Sequence, residues 1–340
     1  MITVTPFDGD DAEWNGFVTR DPTASYCHLS AWRGVIAEGL GHRWLAWGAR
    51  DPSGRLHGLL SAVQVKSALL GNYLVSLPFL NGGGPIGTAR AKAALAEAAI
   101  AEAKRTGADL LELRTRDQPP EPLALSNRKI TVLLDLPSTV EGLWNRFPSK
   151  LRSQIKRGQG AGLTVRFGPD ERPAFYDVFV RNMHALGTPA LPAEHFARIA
   201  EAFPKQVVFG AVYRGNSPIA AGCGFLWHQE FEMTWASSLR AESRLAPNMV
   251  LYWESMSHAI AQGAKVFNFG RCTPDSGTHA FKRQWGGRDV PLPWGQWSDS
   301  AVTAPPTPSR PLFKFASACW RRIPVGVAAR IGPNFARLLP

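Results

Sequence analysis

Phe267-Asn-Phe-Gly-Arg-Cys-Thr-Pro-Asp-Ser-Gly-Thr-His-Ala-Phe-Lys-Arg-Gln-Trp-Gly-Gly287 says more about the fold than any other stretch of this 340-residue chain. A short aromatic-rich strand, Val266 to Phe269, stops at Gly270 and opens into a turn-rich loop. The loop then delivers Phe281, Lys282 and Trp285 within one helical turn. Such a segment can present a cation beside aromatic faces. The same spacing also fits a plainer reading, in which Phe281 and Trp285, four apart on a helix, are core residues and Lys282 and Arg283 are solvated.

Upstream of this stretch the periodicity predicts a helix from Asn248 to Gln262 that ends at Gly263, followed by a strand over 265–269. Before that come a basic helix near 140–157, a strand at 163–167, helices near 171–186 and 192–203, and strands at 206–213, 218–227 and 230–237. The first half follows the same grammar. It predicts helices over 11–20 and 28–39, strands near 43–49, 56–66 and 72–77, and a glycine-rich turn, Asn81-Gly-Gly-Gly-Pro85. An alanine-rich helix from Ala89 to Arg105, closed by Gly107, then leads to strands Leu110–Arg114 and Ile130–Leu136. Two helices, three antiparallel strands, a helix and a strand, written twice, indicate a duplicated α+β unit. The repeat is one of pattern, without residue-level identity between the halves.

A chain of this length is most simply two domains of ordinary size. Cys27, Cys223, Cys272 and Cys319 form no C-x-x-C pair and have no histidine at metal-ligand spacing, so neither a disulfide framework nor a metal site is indicated. The N-terminus lacks the basic and apolar regions of a signal peptide, and no run of about 18 uncharged apolar residues occurs. A cytoplasmic protein is expected. Of the net charge of +11, six units come from Arg310, Lys314, Arg321, Arg322, Arg330 and Arg337, with no acidic residue after Asp299, so the first 299 residues carry +5. That moderate charge is compatible with tRNA or a phosphorylated substrate and requires neither.

Thr303-Ala-Pro-Pro-Thr-Pro-Ser-Arg-Pro311 reads as an extended linker. Beyond it, residues 312–340 combine Leu312, Phe313, Phe315, Trp320, Ile323 and Val325 with the basic residues just named. This tail either lies on an anionic membrane or packs back on the body, and Pro324 and Pro333 argue against one long amphipathic helix. In the basic helix, Phe147, Leu151 and Ile155 form an apolar stripe flanked by Arg152 and Lys156 on one side and by Lys150 and Arg157 on the other. The helix stops at Gly158 on this reading. It either holds an anion at a groove or is a solvated amphipathic helix.

Four apparent signals carry less. Arg157-Gly-Gln-Gly-Ala-Gly162 matches the R-x-x-G-x-G loop by which acetyl-CoA-dependent N-acetyltransferases wrap a pyrophosphate, but it closes a helix and opens a strand, the reverse of the required context. The corresponding place, Ser238 to Asn248, has no glycine. Cys272 and His279 could form a nucleophile–base pair, yet no orienting third group is evident. Asp275 reads as a turn former and His184 as structural.

On these residues the chain resembles the FemAB family of peptidyltransferases, and within it the FemAB-related proteins associated with exosortase (PEP-CTERM) and extracellular-polysaccharide gene clusters. The carriers are Pro78-Phe-Leu-Asn-Gly-Gly-Gly-Pro85, Lys150-Leu-Arg-Ser-Gln-Ile-Lys-Arg157, Leu186-Gly-Thr-Pro189, Asn248-Met-Val-Leu-Tyr-Trp-Glu254 and Phe267–Arg271 with Phe281–Gly286. Trp320-Arg-Arg-Ile-Pro324 and Ile331-Gly-Pro333 look similar to that subgroup too. The resemblance implies two tandem GNAT domains, each a mixed, mostly antiparallel sheet flanked by helices, over 1–137 and 138–298, with linker and tail over 299–340. It implies amide formation on an amine of an envelope or exopolysaccharide precursor. The donor would be aminoacyl-tRNA, with acyl-CoA as the alternative, and no cofactor would be tightly bound. Lys282 and Phe281 would be catalytic, the lysine stabilising negative charge at the reacting centre. Arg152, Lys156, Tyr252, Arg271 and Trp285 would bind substrate. Two features depart from the family: the coiled-coil insertion common in relatives that use tRNA is absent, and Cys272 stands where the subgroup usually has a small hydroxyl residue. A non-catalytic scaffold docked at the membrane through 312–340 is the competing reading from another class.

Overall fold

The computed structural model describes residues 1–67, 70–299 and 311–339. Most of the proline-rich stretch therefore lies outside the described residues. The chain divides into two compact units, the first built from 1–129, 291–313 and 337–340, the second from 130–290 and 314–336.

The first unit contains β1 (Thr3–Pro6), α1 (Asp11–Arg20), β2 (Arg43–Arg50), β3 (Leu56–Ser67), β4 (Gly71–Val75), β5 (Ile86–Gly87), α2 (Ala89–Thr106), β6 (Leu110–Leu113) and the start of β7 (Ala124–Asp135). Strands β1 to β4 pair antiparallel in sequence order, and β6 then joins β4 in parallel. The apolar side of α2 (Leu95, Ala96, Ala99, Ala103) packs against Leu60, Ala62, Leu74 and Leu111. The helix expected over 28–39 is irregular, with a 3₁₀ turn at Tyr26–His28 and a π-helical turn at Gly34–Glu38. The glycine-rich loop after β4 is fixed by a buried ion pair. Arg114 donates to Glu112 at 3.0 Å and to the carbonyls of Leu77 and Leu80 at 2.8 Å, and His28 Nε2 lies 3.1 Å from the Gly84 carbonyl.

The second unit contains the end of β7, α3 (Val140–Arg146), α4 (Ser149–Gln159), β8 (Thr164–Phe167), α5 (Arg172–Leu186), α6 (Ala193–Ala202), β9 (Val207–Arg214), β10 (Ser217–Trp227), β11 (Glu230–Ser238), α7 (Pro247–Ala261), β12 (Val266–Cys272), α8 (Gly277–Arg283) and the start of β13 (Arg288–Trp297). Strands β8 to β11 pair antiparallel in order, and β12 joins β11 in parallel after the crossover through α7. This is the arrangement of the first unit, so the doubled grammar of the sequence is a doubled fold: two tandem units of mixed, mostly antiparallel sheet with helices. The basic helix expected over 140–157 is two helices. Phe147 precedes Pro148, whose ring disfavours the α conformation in its predecessor, and Phe147 is extended at φ −80°, ψ 138°.

Each unit is completed by a strand from chain that follows the other unit's sheet. Ile130–Asp135 of β7, which the sequence assigns to the first half, pairs antiparallel with β12 in the second unit. Gly295–Trp297 of β13 pairs antiparallel with β6 in the first. The tail forms α9 (Pro311–Trp320) and α10 (Val325–Ala336). Helix α10 packs on α5 and buries Ala328, Gly332 and Ala336, with Gly332 against Ala190 and Trp320, and His184 Nε2 lies 2.7 Å from the Ile323 carbonyl, a structural role as read from the sequence.

Candidate active site

Strand β12 alternates poorly because its whole middle, Phe267 to Gly270, is buried. Its pairing with β7 slips between Asn268 and Arg271, where one extra residue on β12 makes a bulge. Gly270 occupies that bulge at φ 71°, a left-handed conformation that costs glycine nothing. Asn268 fastens it. The Asn268 side chain accepts from the Gly270 N–H at 2.9 Å and from the Thr131 hydroxyl, and donates to Glu230 at 2.8 Å.

The bulge presents two main-chain carbonyls to α8. Lys282 Nζ donates to the carbonyl of Gly270 at 2.7 Å and to that of Arg271 at 2.9 Å, and the residue is only 4% exposed. Among the described residues no third acceptor lies within hydrogen-bond reach of this ammonium, and no ring face lies under it. The expected lysine between aromatic faces is thus a lysine held by carbonyls, with the aromatic residues packed alongside. Burial lowers its pKa to about 8, with Cys272 and Glu232 opposing the shift and Arg271 adding to it. Helix α8 begins at Ser276, whose side chain accepts from the His279 N–H.

The aromatic wall is built on Tyr252 of α7. Its ring is 5.1 Å from Phe281, 5.6 Å from Phe269 and 6.2 Å from Trp285, and Phe147 lies 5.6 Å from Trp285. Burial raises the pKa of the Tyr252 hydroxyl, and Cys272 adds to the rise. The Trp285 indole N–H is buried with no hydrogen-bond partner among the described residues. Phe147, Leu151 and Ile155 join the same core, Leu151 and Ile155 where the periodicity of the basic helix indicates. Arg152 is half-buried and Lys156 exposed, with its ammonium 5.8 Å from the Trp144 ring centre. Lys282, Phe281, Tyr252, Arg271 and Trp285 therefore come together, whereas among the described residues no hydrogen bond or ion pair ties Arg152 or Lys156 to them.

Gly158 does not stop the helix. It lies inside α4, buried against α7, and a Cβ there would stand 2.5 Å from Val250 Cγ2 and 3.2 Å from the Ala246 carbonyl. The absent side chain lets α4 lie against the first turn of α7. That turn opens with Ala246 and Pro247, which has no N–H to donate, and no glycine loop precedes it. Arg157–Gly162 does close a helix and precede β8, as its sequence context indicates.

The Cys272–His279 pair is not formed. Cys272 ends β12 and is buried, while His279 Nδ1 accepts from the Asp275 N–H at 3.0 Å and its Nε2 lies 3.0 Å from Asp289. Asp275 is a turn residue at φ 58°. Glu232, missed in the sequence, is 4% exposed on β11 and near enough to oppose the shift of Lys282. Its one signal was a carboxylate set between Phe231 and Met233 on a strand, where burial is costly. The parallel pairing of β11 with β12 stops at Glu232 and Asn268, although both strands run on, so they part beside this carboxylate. Among the described residues no group of three metal-type ligands occurs.

These elements fall within one recognisable domain. Residues 145–283 match the acetyltransferase (GNAT) domain. The match runs from the end of α3 to the end of α8 and includes Lys282. The second unit thus carries an acyltransferase domain, and the two units are GNAT-like domains in tandem. No protein of curated function matches the chain by sequence. Among solved structures, FemX superposes with a TM-score of 0.64 at 13% identity, covering 86% of this chain and 97% of its own. The C-terminal domain of a putative lysylphosphatidylglycerol synthetase from Agrobacterium fabrum gives 0.59 at 14% identity, covering 95% and 97%. A tandem GNAT protein from the clavulanic acid biosynthesis pathway gives 0.51 at 9% identity, covering 89% and 100%. At these identities the likeness is one of fold.

Proposed function

We propose that the protein is an N-acyltransferase of the Fem type, which joins an aminoacyl group to an amine with aminoacyl-tRNA as donor. The observation that carries this reading is the buried Lys282 ammonium, pinned by two carbonyls at the β12 bulge inside the GNAT domain, with one N–H left to meet a substrate. In the reaction the acceptor amine attacks the donor ester carbonyl and forms the C–N bond. The carbonyl oxygen takes up negative charge, which the remaining Lys282 N–H stabilises in a site that excludes water. The C–O bond to the ribose then breaks, and the leaving oxygen takes the proton that the amine gives up. Phe281 and Trp285, packed on Tyr252, form the apolar wall that dries the site. Arg152, Lys156 and Arg271 supply cations for the phosphates of the donor.

The first turn of α7, which has no glycine loop, supports tRNA over acyl-CoA. The acceptor class, an amine on an envelope or exopolysaccharide precursor in the cytoplasm, follows from the motif resemblance. Lys282→Met is expected to lower turnover with aminoacyl-tRNA by about 10²–10³-fold, with the circular dichroism spectrum unchanged. Near-normal turnover in that variant would end the assignment. Turnover with acyl-CoA and none with charged tRNA would replace the donor.

A further inference from the structure

The large apolar side chains that face solvent are concentrated on the tail. Outside it, the strongly exposed ones among the described residues are Met1, Leu125 and Leu186. Within it, Phe315 is 69% exposed and Phe335 50%, joined by Val325, Val327 and Ile331. On α10, Val327, Ile331 and Phe335 recur every four residues, which puts them in one stripe beside the small buried stripe Ala328, Gly332 and Ala336. The small residues of the helix are therefore buried while its bulky residues are exposed. Phe335 also meets Trp320 of α9 at 6.0 Å, and Gly187, next to the exposed Leu186, lies against Ser317 of α9.

The charge around this stripe has one sign. Arg321, Arg322 and Arg330 are exposed, and no acidic residue occurs from Ser300 to Pro340. On α5, the helix packed against α10, Asp177 is paired with Arg181. Exposed bulky apolar groups with unopposed arginines match a surface with an apolar interior and anionic headgroups. A protein partner of ordinary composition would instead call for a mixed rim of both signs. No helix among the described residues is long and apolar enough to cross a membrane.

We infer that α9 and α10 form a peripheral docking surface for an anionic lipid bilayer, with Phe315, Val327, Ile331 and Phe335 entering the headgroup boundary and Arg321, Arg322 and Arg330 meeting lipid phosphates. This inference is independent of the acyl-transfer reading. The test is co-sedimentation of the full chain with phosphatidylcholine vesicles, with and without phosphatidylglycerol. Binding is expected only with phosphatidylglycerol and weakens as salt rises. The triple variant Arg321→Glu, Arg322→Glu, Arg330→Glu is expected to lose roughly a hundredfold in partitioning. The variant Phe315→Ser, Val327→Ser removes exposed side chains and is expected to lose at least about tenfold at an unchanged thermal midpoint. Equal pelleting with and without phosphatidylglycerol, or pelleting unaffected by both variants, overturns the inference. So does a dimer in sedimentation velocity that the Phe315→Ser, Val327→Ser variant dissociates while vesicles stay unbound, because the face would then belong to a second copy.

Discussion

Lys282 holds its charge where burial penalises it, and two observable consequences follow. Catalysis by the ammonium requires a proton on Nζ, so turnover is expected to fall as pH rises through about 8. The measurement is the alkaline limb of kcat/KM, which Lys282→Arg is expected to move upward because guanidinium stays protonated. Stability has the opposite slope. Between about 8 and the ordinary lysine value of 10.5 the unfolded chain binds this proton and the folded chain does not, so stability rises with pH across that window. The contribution amounts to about 3 kcal/mol over the whole window. Chemical unfolding at several pH values should show that rise in the natural chain and lose it in Lys282→Met. The sequence offered this lysine as a cation near aromatic residues. Its acceptors were out of view, because the Gly270 and Arg271 carbonyls depend on a bulge that only pairing with β7 creates.

At the scale of elements, the seating of α4 on α7 decides what the first turn of α7 can hold. Gly158→Ala would gain helix propensity, worth about 1 kcal/mol in a free helix. The new methyl would instead meet Val250 Cγ2 at 2.5 Å, an overlap that costs about 1–3 kcal/mol. A net loss in thermal midpoint is expected, less than additive with Val250→Ala, whereas Gly160→Ala at the end of the same helix should change little. The sequence places Leu151 and Ile155 on one buried face correctly because helical period is local, whereas Phe147 reaches the same core from the extended residue before Pro148. It misreads Gly158 as a stop because a glycine at a helix end and a glycine under a crossing helix look the same in one dimension. The break at Pro148, by contrast, was available from the residue before proline.

For the whole molecule, the exchange of strands sets the limits of what folds alone. A fragment of 1–137 lacks Gly295–Trp297 on the edge of β6, and a fragment of 138–298 lacks Ile130–Asp135 on the edge of β12. Both edges are rich in apolar residues, so each fragment is expected to aggregate or to give a poorly dispersed amide spectrum. A fragment of 129–298 is expected to be better ordered than 138–298, and equal spectra from the two would show that Ile130–Asp135 is dispensable. The sequence by itself determined the kinds of elements, their order, the doubled pattern and the segment that carries the candidate site. Those properties follow from residue period, caps and turn residues, which act over a few positions. Tertiary structure alone decided which strands pair, that Lys282 is buried on two carbonyls beside Glu232, that Gly158 seats one helix on another, and that the bulky residues of α10 face outward. Each of these depends on contact between residues far apart in the chain, and local propensity holds no record of the partner.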